Sequence, residues 1–504
     1  MIDVAPYQLE IIEKILQKFV SKCEVRAFGS RAAWTAKDYS DLDLAIVGTE
    51  KLPDGVIFSI REVFQESDLP FRVDVLDWNA ISKEFREVIE KKYEVIQKIT
   101  DTAKTGEVPE GWEERIFSEV VDVNPKRELK KGSTARFVSM ADLKEFNRKI
   151  QSFTTRTFPG GSKFINGDTL MARITPCLEN GKTVFVDILE NGEVGCGSTE
   201  FMVLCGRDGK SINEFVYYLA VSPDIRKKAI KSMTGTSGRQ RVESDVFDKL
   251  TIKLPAIVEQ RAIVKILSDL DEKIELNHKM NKTLEATAQA LFKQWFEEFE
   301  FPGYNKTKFI DGLPEGWHEG KLIEACDIMM GQSPPGETYN ESGNGVVFHQ
   351  GNRDFGFHFP TPRVYCTAPT RIAEAGDVLI SVRAPVGALN ITIGRCAIGR
   401  GVAALRMKHY SNGFLFYFLS TRQDLWDQFN SEGTVFGCLN KTEFHKVNLV
   451  IPSAVVLRQF DAIVKPIEEM ILRNELEIRA LGGIRDSLLP KLMLGKIRVK
   501  KWEA

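Results

Sequence analysis

Residues 259–296 read EQRAIVKILSDLDEKIELNHKMNKTLEATAQALFKQWF. Within them Ile263, Leu267, Leu270, Ile274, Asn277, Asn281, Leu284, Ala288, Leu291 and Trp295 alternate steps of four and three. A sustained 3.5-residue period is the seam of a left-handed coiled coil. At about 1.5 Å per residue the segment would span roughly 57 Å, too long for an ordinary core helix. A second segment follows the same rule less strictly, through Ile463, Ile467, Met470, Asn474, Ile478, Leu481, Ile484 and Leu488. Neither stripe can be buried alone, so the expected arrangement packs the two helices against each other, antiparallel. Asn277 and Asn474 then fall at or near the seam, where an amide costs stability and fixes register.

Outward from these helices the chain repeats itself. Pro109-Glu110-Gly111-Trp112 recurs as Pro314-Glu315-Gly316-Trp317, Gly167-Asp168-Thr169-Leu170-Met171 as Gly376-Asp377-Val378-Leu379-Ile380, and Ala262-Ile263-Val264-Lys265 as Ala462-Ile463-Val464-Lys465. A period near 200 residues implies two copies of one unit, preceded by an unrelated unit of about 100. The short β runs in each copy, among them 183–187, 201–204 and 388–393, predict a mixed α/β globule. The expected division is therefore 1–100, a linker 101–110, a first globule 111–256, a first spacer helix 257–300, a linker 301–314, a second globule 315–453, and a second spacer helix with its tail, 454–504. The fold class is α/β (mixed).

The 504 residues are 43% hydrophobic and 27% charged, which excludes a largely disordered chain. No apolar run is long enough for a membrane span and no signal-peptide pattern opens the chain, so no membrane partner and a cytoplasmic location are expected. Eight scattered cysteines without a CxxC argue against a thiolate zinc site. The net charge of −2 hides a split: residues 1–100 carry 14 Lys/Arg against 18 Asp/Glu, whereas 111–255 carry 23 against 19. The stretch 226–241, RKKAIKSMTGTSGRQR, has six cations and no acid, which suits nucleic acid because phosphate contact depends on local charge.

In the N-terminal unit Gly29-Ser30 is followed by ten residues and then Asp41-Leu42-Asp43, with a further acid, Asp74, in a third predicted strand. Strand alternation places Asp41 and Asp43 on one face. Paired carboxylates there can bind the divalent cations that hold a triphosphate, and Gly29-Ser30 at a turn can present N–H groups to phosphate. This pattern resembles the minimal nucleotidyltransferase superfamily, including small antitoxin domains that transfer adenylyl groups. The resemblance implies that Asp41, Asp43 and Asp74 are catalytic and bind Mg2+, that Gly29 and Ser30 are phosphate-binding, and that NTP is the cofactor or substrate.

The repeated part resembles the specificity subunits of type I restriction-modification systems. The segments that carry the likeness are Glu259-Gln260-Arg261-Ala262-Ile263-Val264, 291–296 (LFKQWF), 485–492 (RDSLLPKL), both Pro-Glu-Gly-Trp starts and 167–182 (GDTLMARITPCLENGK). The resemblance implies two target-recognition domains that each read half of a split, asymmetric double-stranded DNA site, set apart by a coiled-coil spacer. It also implies as partners two methyltransferase subunits and restriction motor-nuclease subunits, a role in phage defence, and S-adenosylmethionine and ATP bound on those partners only. DNA-contact candidates are Ser237, Arg239, Gln240 and Arg241 in the first glycine-rich loop, where Arg and Gln can pair with guanine and adenine edges. Thr434, Asn440 and Lys441 occupy the corresponding loop of the second copy. Arg173, Asn180 and Lys182 follow the first Gly-Asp strand, and Arg383 and Asn390 follow the second. Residues 317–452 are charge-balanced, 12 against 12, so hydrogen bonding is expected to matter more there than phosphate attraction.

Methyltransferase Asn/Asp-Pro-Pro-Tyr/Phe and GxGxxG motifs are absent, and neither Gly-Lys-Ser/Thr-like site has the first glycine of a phosphate-binding loop. Two functions therefore compete. One is a DNA specificity subunit with an appended nucleotidyltransferase-like domain. The other is a nucleotidyltransferase that DNA-binding modules direct to its target.

Overall fold

The computed structural model describes the chain except for residues 1, 5, 22, 33–39, 49–50, 53–54, 68, 98–107, 237, 411, 431–437 and 500–504. Ser237 and Thr434 thus lie outside the described residues. The chain forms two compact bodies, one of Met1–Glu119, Asp248–Ala256 and Leu494–Arg498, the other chiefly Val120–Phe247 and Ile257–Met493.

In the first body an amphipathic helix, Pro6–Val20, precedes β1 (Glu24–Phe28), β2 (Leu42–Val47), β3 (Val73–Asp77) and β4 (Glu94–Gln97). Their order in the sheet is β3-β2-β1-β4, with β2 and β3 parallel and the other pairs antiparallel. Alternation sends Val25, Ala27, Leu42, Leu44, Ile46, Val73 and Val75 into one core with Ile12, Leu16 and Ile60. The opposite face carries Asp43 and Ala45, the latter packed with Trp78 and Ile89. An antiparallel pair, Glu113–Ile116 with Thr251–Leu254, also belongs to this body.

The second body contains two globules with the same plan. In the first, one sheet runs Thr183–Phe185, Thr169–Ala172, Phe201–Gly206, Val121–Val123, and the other runs Thr154–Thr157, Thr134–Val138, Gly195–Gly197, Ser162–Phe164. In the second the matching orders are Leu389–Ile391, Val378–Ser381, Val402–Met407, Cys326–Met330, and Tyr365–Cys366, Val346–His349, Cys396–Ile398, Ile372–Ala373. The parallel pair recurs at the same place, 134–138 with 195–197 and 346–349 with 396–398. The repeated Gly-Asp turn is structural in both copies. Asp168 accepts from the Ile165 N–H and pairs with Arg127 at 2.8 Å, and Asp377 accepts from the Glu374 N–H and pairs with Arg406 at 2.6 Å. Both aspartates are buried, and a buried carboxylate needs such partners.

The long helices span Ile257–Phe292 and Ala454–Met493. They pack antiparallel: Asp271 meets Arg485, Asn277 meets Glu477, and Asn281 meets Asn474. Every seam position expected on the first helix is buried or half-buried. On the second, Ile463, Met470 and Ile484 are 44%, 41% and 48% exposed, and the buried stripe instead runs through Leu457, Phe460, Val464, Ile471, Asn474 and Leu489. This corrects the expected seam. The helix carries two apolar stripes one residue apart, and a charged residue, Arg485, stands in the seam that is used. Helices Asn213–Val221 and Gly413–Thr421, one from each globule, pack against both long helices.

Candidate functional site

In the N-terminal body β2 and β3 run parallel in register, so Asp43 stands opposite Asp74. Asp41 lies just before β2 and is exposed. Burial, then the charges of Asp74 and Asp41, raise the Asp43 carboxyl above its ordinary range. The three acids therefore share one electrostatic site, and Arg72, 3.2 Å from Asp74, is a cation beside it. They are not drawn into a closed three-ligand cluster among the described residues. Gly29 has φ +78°, and a Cβ there would lie 2.4 Å from Asp43 Oδ2, so only glycine permits the turn to back onto this carboxylate. Ser30 follows in that turn; residues 33–39 lie outside the described residues. A half-buried carboxylate raised by burial and by two neighbouring acids fits a divalent cation, which would relieve that repulsion.

In the first globule the strand end and the glycine-rich loop meet. Ile174 and Thr234 both bridge to Arg241, and the Thr175 N–H donates to the Gln240 carbonyl. Arg173 donates to Glu243 at 2.8 Å, while Arg241 grips Glu200 through Nε and one terminal nitrogen and donates from the other to the Arg239 carbonyl. The Glu200 hydrogen bonds hold Arg241 charged, its pKa raised. Arg239 and Asn180 are exposed. Lys182 turns inward, its Nζ donating to the Met140 carbonyl at 3.0 Å. In the second globule Arg383 is exposed and bridges to Cys438, which places it beside Asn440 and Lys441. Asn440 caps the short helix Lys441–Phe444, its Oδ1 accepting from the Glu443 N–H.

One surface escaped the sequence reading. A cleft of about 1000 Å³ in the first globule is lined by Lys126, Arg127, Lys130, Lys163 and Arg173, with Glu128 its one acid. Lys126, Arg127 and Lys130 are close in the chain, but Lys163 and Arg173 are distant from them, and the fold brings all five to one cleft.

The type I restriction modification DNA specificity domain matches residues 109–286 and 314–473, more than half of the chain. The polymerase beta nucleotidyltransferase domain matches residues 10–101. The chain belongs to the type I specificity family. Over 453 residues it is 22% identical to the type I restriction enzyme MjaIX specificity subunit of Methanocaldococcus jannaschii, covering 82% of this chain and 99% of that one. A solved S subunit from M. genitalium shares the fold, with a TM-score of 0.50 at 19% identity, covering 76% of this chain and 96% of that one. The N-terminal domain is 48% identical over 103 residues to a probable protein adenylyltransferase, MntA, of Haemophilus influenzae, 20% of this chain and 90% of that one.

Within this specificity subunit the expected contacts divide. Arg239, Asn180, Arg383 and Lys441 are exposed at the two loop regions. Asn390 is not a contact: it is fully buried, its Oδ1 accepts from the Gly356 N–H and its Nδ2 donates to the Gly356 and Leu389 carbonyls. Its amide replaces a strand partner for the chain at Gly356, so it holds the second globule together. Asn440, Arg241 and Lys182 are likewise committed to a helix cap, an ion pair and a carbonyl. No described helix is long and apolar enough to cross a membrane.

Proposed function

We propose that the two globules of this specificity subunit bind the halves of a bipartite, asymmetric double-stranded DNA site. The antiparallel helix pair sets the number of unread base pairs between them. The observation that carries this reading is one strand order used twice, with loops of different sequence at corresponding places, seated at opposite ends of one helix pair. Asn180, Arg239 and Gln240 on one side, and Arg383 and Lys441 on the other, are the groups through which base edges would be read. Methyltransferase and restriction subunits supply methylation, ATP hydrolysis and cleavage. Leu276 and Met280 on the first long helix and Ile463, Met470 and Ile484 on the second are exposed apolar groups that suit the docking of partner helices. Footprinting of the complex on its target should show two protected patches flanking unprotected base pairs; one continuous patch would contradict the reading.

The close approach of Gly29 to Asp43 favours a second, added activity, nucleotidyl transfer. Asp43 and Asp74, with Asp41, would hold Mg2+, and the Gly29-Ser30 turn would hold the triphosphate. The ion, when bound, supplies charge neutralisation for the phosphates. Labelled ATP incubated with the complex should transfer label to a protein or nucleic-acid acceptor, and Asp43→Ala should lower this by at least a hundredfold. Equal labelling by the variant would remove these carboxylates from the reaction.

A further inference from the structure

We propose that the two globules hold DNA by different forces, and that the lysine-lined cleft of the first is the phosphate-gripping anchor of the whole chain. This rests on the DNA-specificity reading and deepens it.

Five cations line the cleft, but two are already engaged: Arg127 pairs with Asp168, and Arg173 with Glu243. The cations left for a ligand are Lys126, Lys130 and Lys163. None forms an ion pair among the described residues; Lys126 and Lys130 are exposed, and Lys163 is half-buried with its Nζ 5.5 Å from the centre of the Phe158 ring. Asn124, Ser162 and Thr199 add hydrogen-bonding groups to the same wall. A lysine is a point charge on a flexible stem, suited to phosphate and poorly suited to telling one base edge from another. The surface therefore fits the backbone of a duplex. Arg173 joins it to the loop at Arg239–Arg241, so one strand lying in the cleft passes the groups that would read bases.

The shared topology shows what the second globule has instead. Its strand Cys326–Met330 leads into residues 331–337, GQSPPGE, which carry no cation and one acid where 124–130 carry Lys126, Arg127 and Lys130. Lys163 stands opposite Cys196; the residue in the matching register, opposite Ala397, is Ile372. Two arginines, Arg371 and Arg400, remain nearby, and Arg400 lies 3.4 Å from the Ser333 hydroxyl. The second globule is left with less charge for phosphate and depends on hydrogen bonds for its half-site.

Each phosphate neutralised adds about 0.9 to the slope of log affinity against log salt, about 3.5-fold between 50 and 200 mM. The test uses the complex of the full chain with its methyltransferase partner, and two duplexes, one with its methylated motif and one scrambled. K126Q/K130Q/K163Q should reduce the salt slope by two to three and weaken both duplexes alike, while the motif methylated in cells stays the same. R371Q/R400Q should change the slope by less than one. A triple variant with the wild-type slope, or two variants that lose slope equally, would overturn the proposal. Should the triple variant unfold, K126Q and K130Q singly must each remove about one unit of slope. Wild-type complex that binds both duplexes equally would instead contradict the specificity reading, and the slopes would still decide the anchor.

Discussion

The two globules meet the helix pair through the same turn of the same helix, yet the two junctions solve burial differently. At the first, the Tyr218 hydroxyl donates to Asp271 Oδ2 at 2.7 Å, Arg485 donates to Asp271 Oδ1 at 2.8 Å, and Arg148 lies over the rings of Phe185, Tyr217 and Tyr218. Burial opposes the charge on Arg485, but the hydrogen bond and charge of Asp271 outweigh it and hold the guanidinium pKa above its usual value. At the second, Tyr417 is fully buried and its hydroxyl has no partner among the described residues. It faces Glu468 and Glu285, which add to burial in raising its pKa. Burial, then Asp461 and Glu469, push Glu468 up to about 7. His358 sits against Phe416 with neither ring nitrogen bonded, and burial lowers it to about 4. Aromatic packing among Phe292, Phe296, Phe414 and Phe460 carries that end. One junction is a closed ion network and the other an apolar nest with uncompensated acids. The same backbone plan thus tolerates opposite electrostatics where the side chains differ.

The largest effect should come from opening the closed network. Asp271→Ala takes from Arg485 its buried partner, leaving it only the exposed Asp486 at 2.8 Å, and strands the Tyr218 hydroxyl, a loss of about 3 kcal/mol, read as a fall in the unfolding midpoint of the complex. No change would mean that Arg485 escapes to solvent.

Next in size is the pH response of the open junction. Glu468 binds its proton more tightly folded, at about 7, than unfolded near 4.5, so the stability it contributes is complete below pH 4.5 and lost as pH rises through 7. Glu468→Gln should remove that loss, a gain of about 3 kcal/mol at pH 8 and little at pH 4.5, read by denaturant unfolding at both pH values. His358 has the opposite sign: its neutral form contributes fully above pH 6.5, and that contribution is lost as pH falls through 4. His358→Phe should therefore blunt acid unfolding, and unchanged acid unfolding would show that the ring does not stay buried and neutral.

The smallest and most discriminating comparison uses the two tyrosines. Tyr218→Phe forfeits a hydrogen bond to a charged group, about 1.5–3 kcal/mol, whereas Tyr417→Phe removes an orphan hydroxyl and should be neutral or stabilising by about 1 kcal/mol. Equal losses at both sites, measured by thermal unfolding, would erase the distinction between the junctions.

Much of this architecture was legible in the sequence because it follows periodicity and repetition. The Gly-Asp pairs and the first seam mark elements whose burial is set by local spacing. The second seam was misread because Ile463 and Met470 mimic it, and because nothing in the sequence says that Arg485 finds Asp271. Asn390 looked like a base reader from its place after a Gly-Asp strand; only the fold shows that Gly356 occupies its amide. The carboxylates near Gly29 were readable because strand alternation places them. The lysine cleft was not, because its cations come from segments that meet only in three dimensions.

The central claim is bipartite specificity, and sequencing the modified bases in DNA from a host that expresses this chain with a type I methyltransferase subunit tests it most directly. The account predicts one motif with two defined halves and a fixed undefined gap, methylated only when the chain is present. Methylation without the chain, or a single undivided motif with it, would contradict the account.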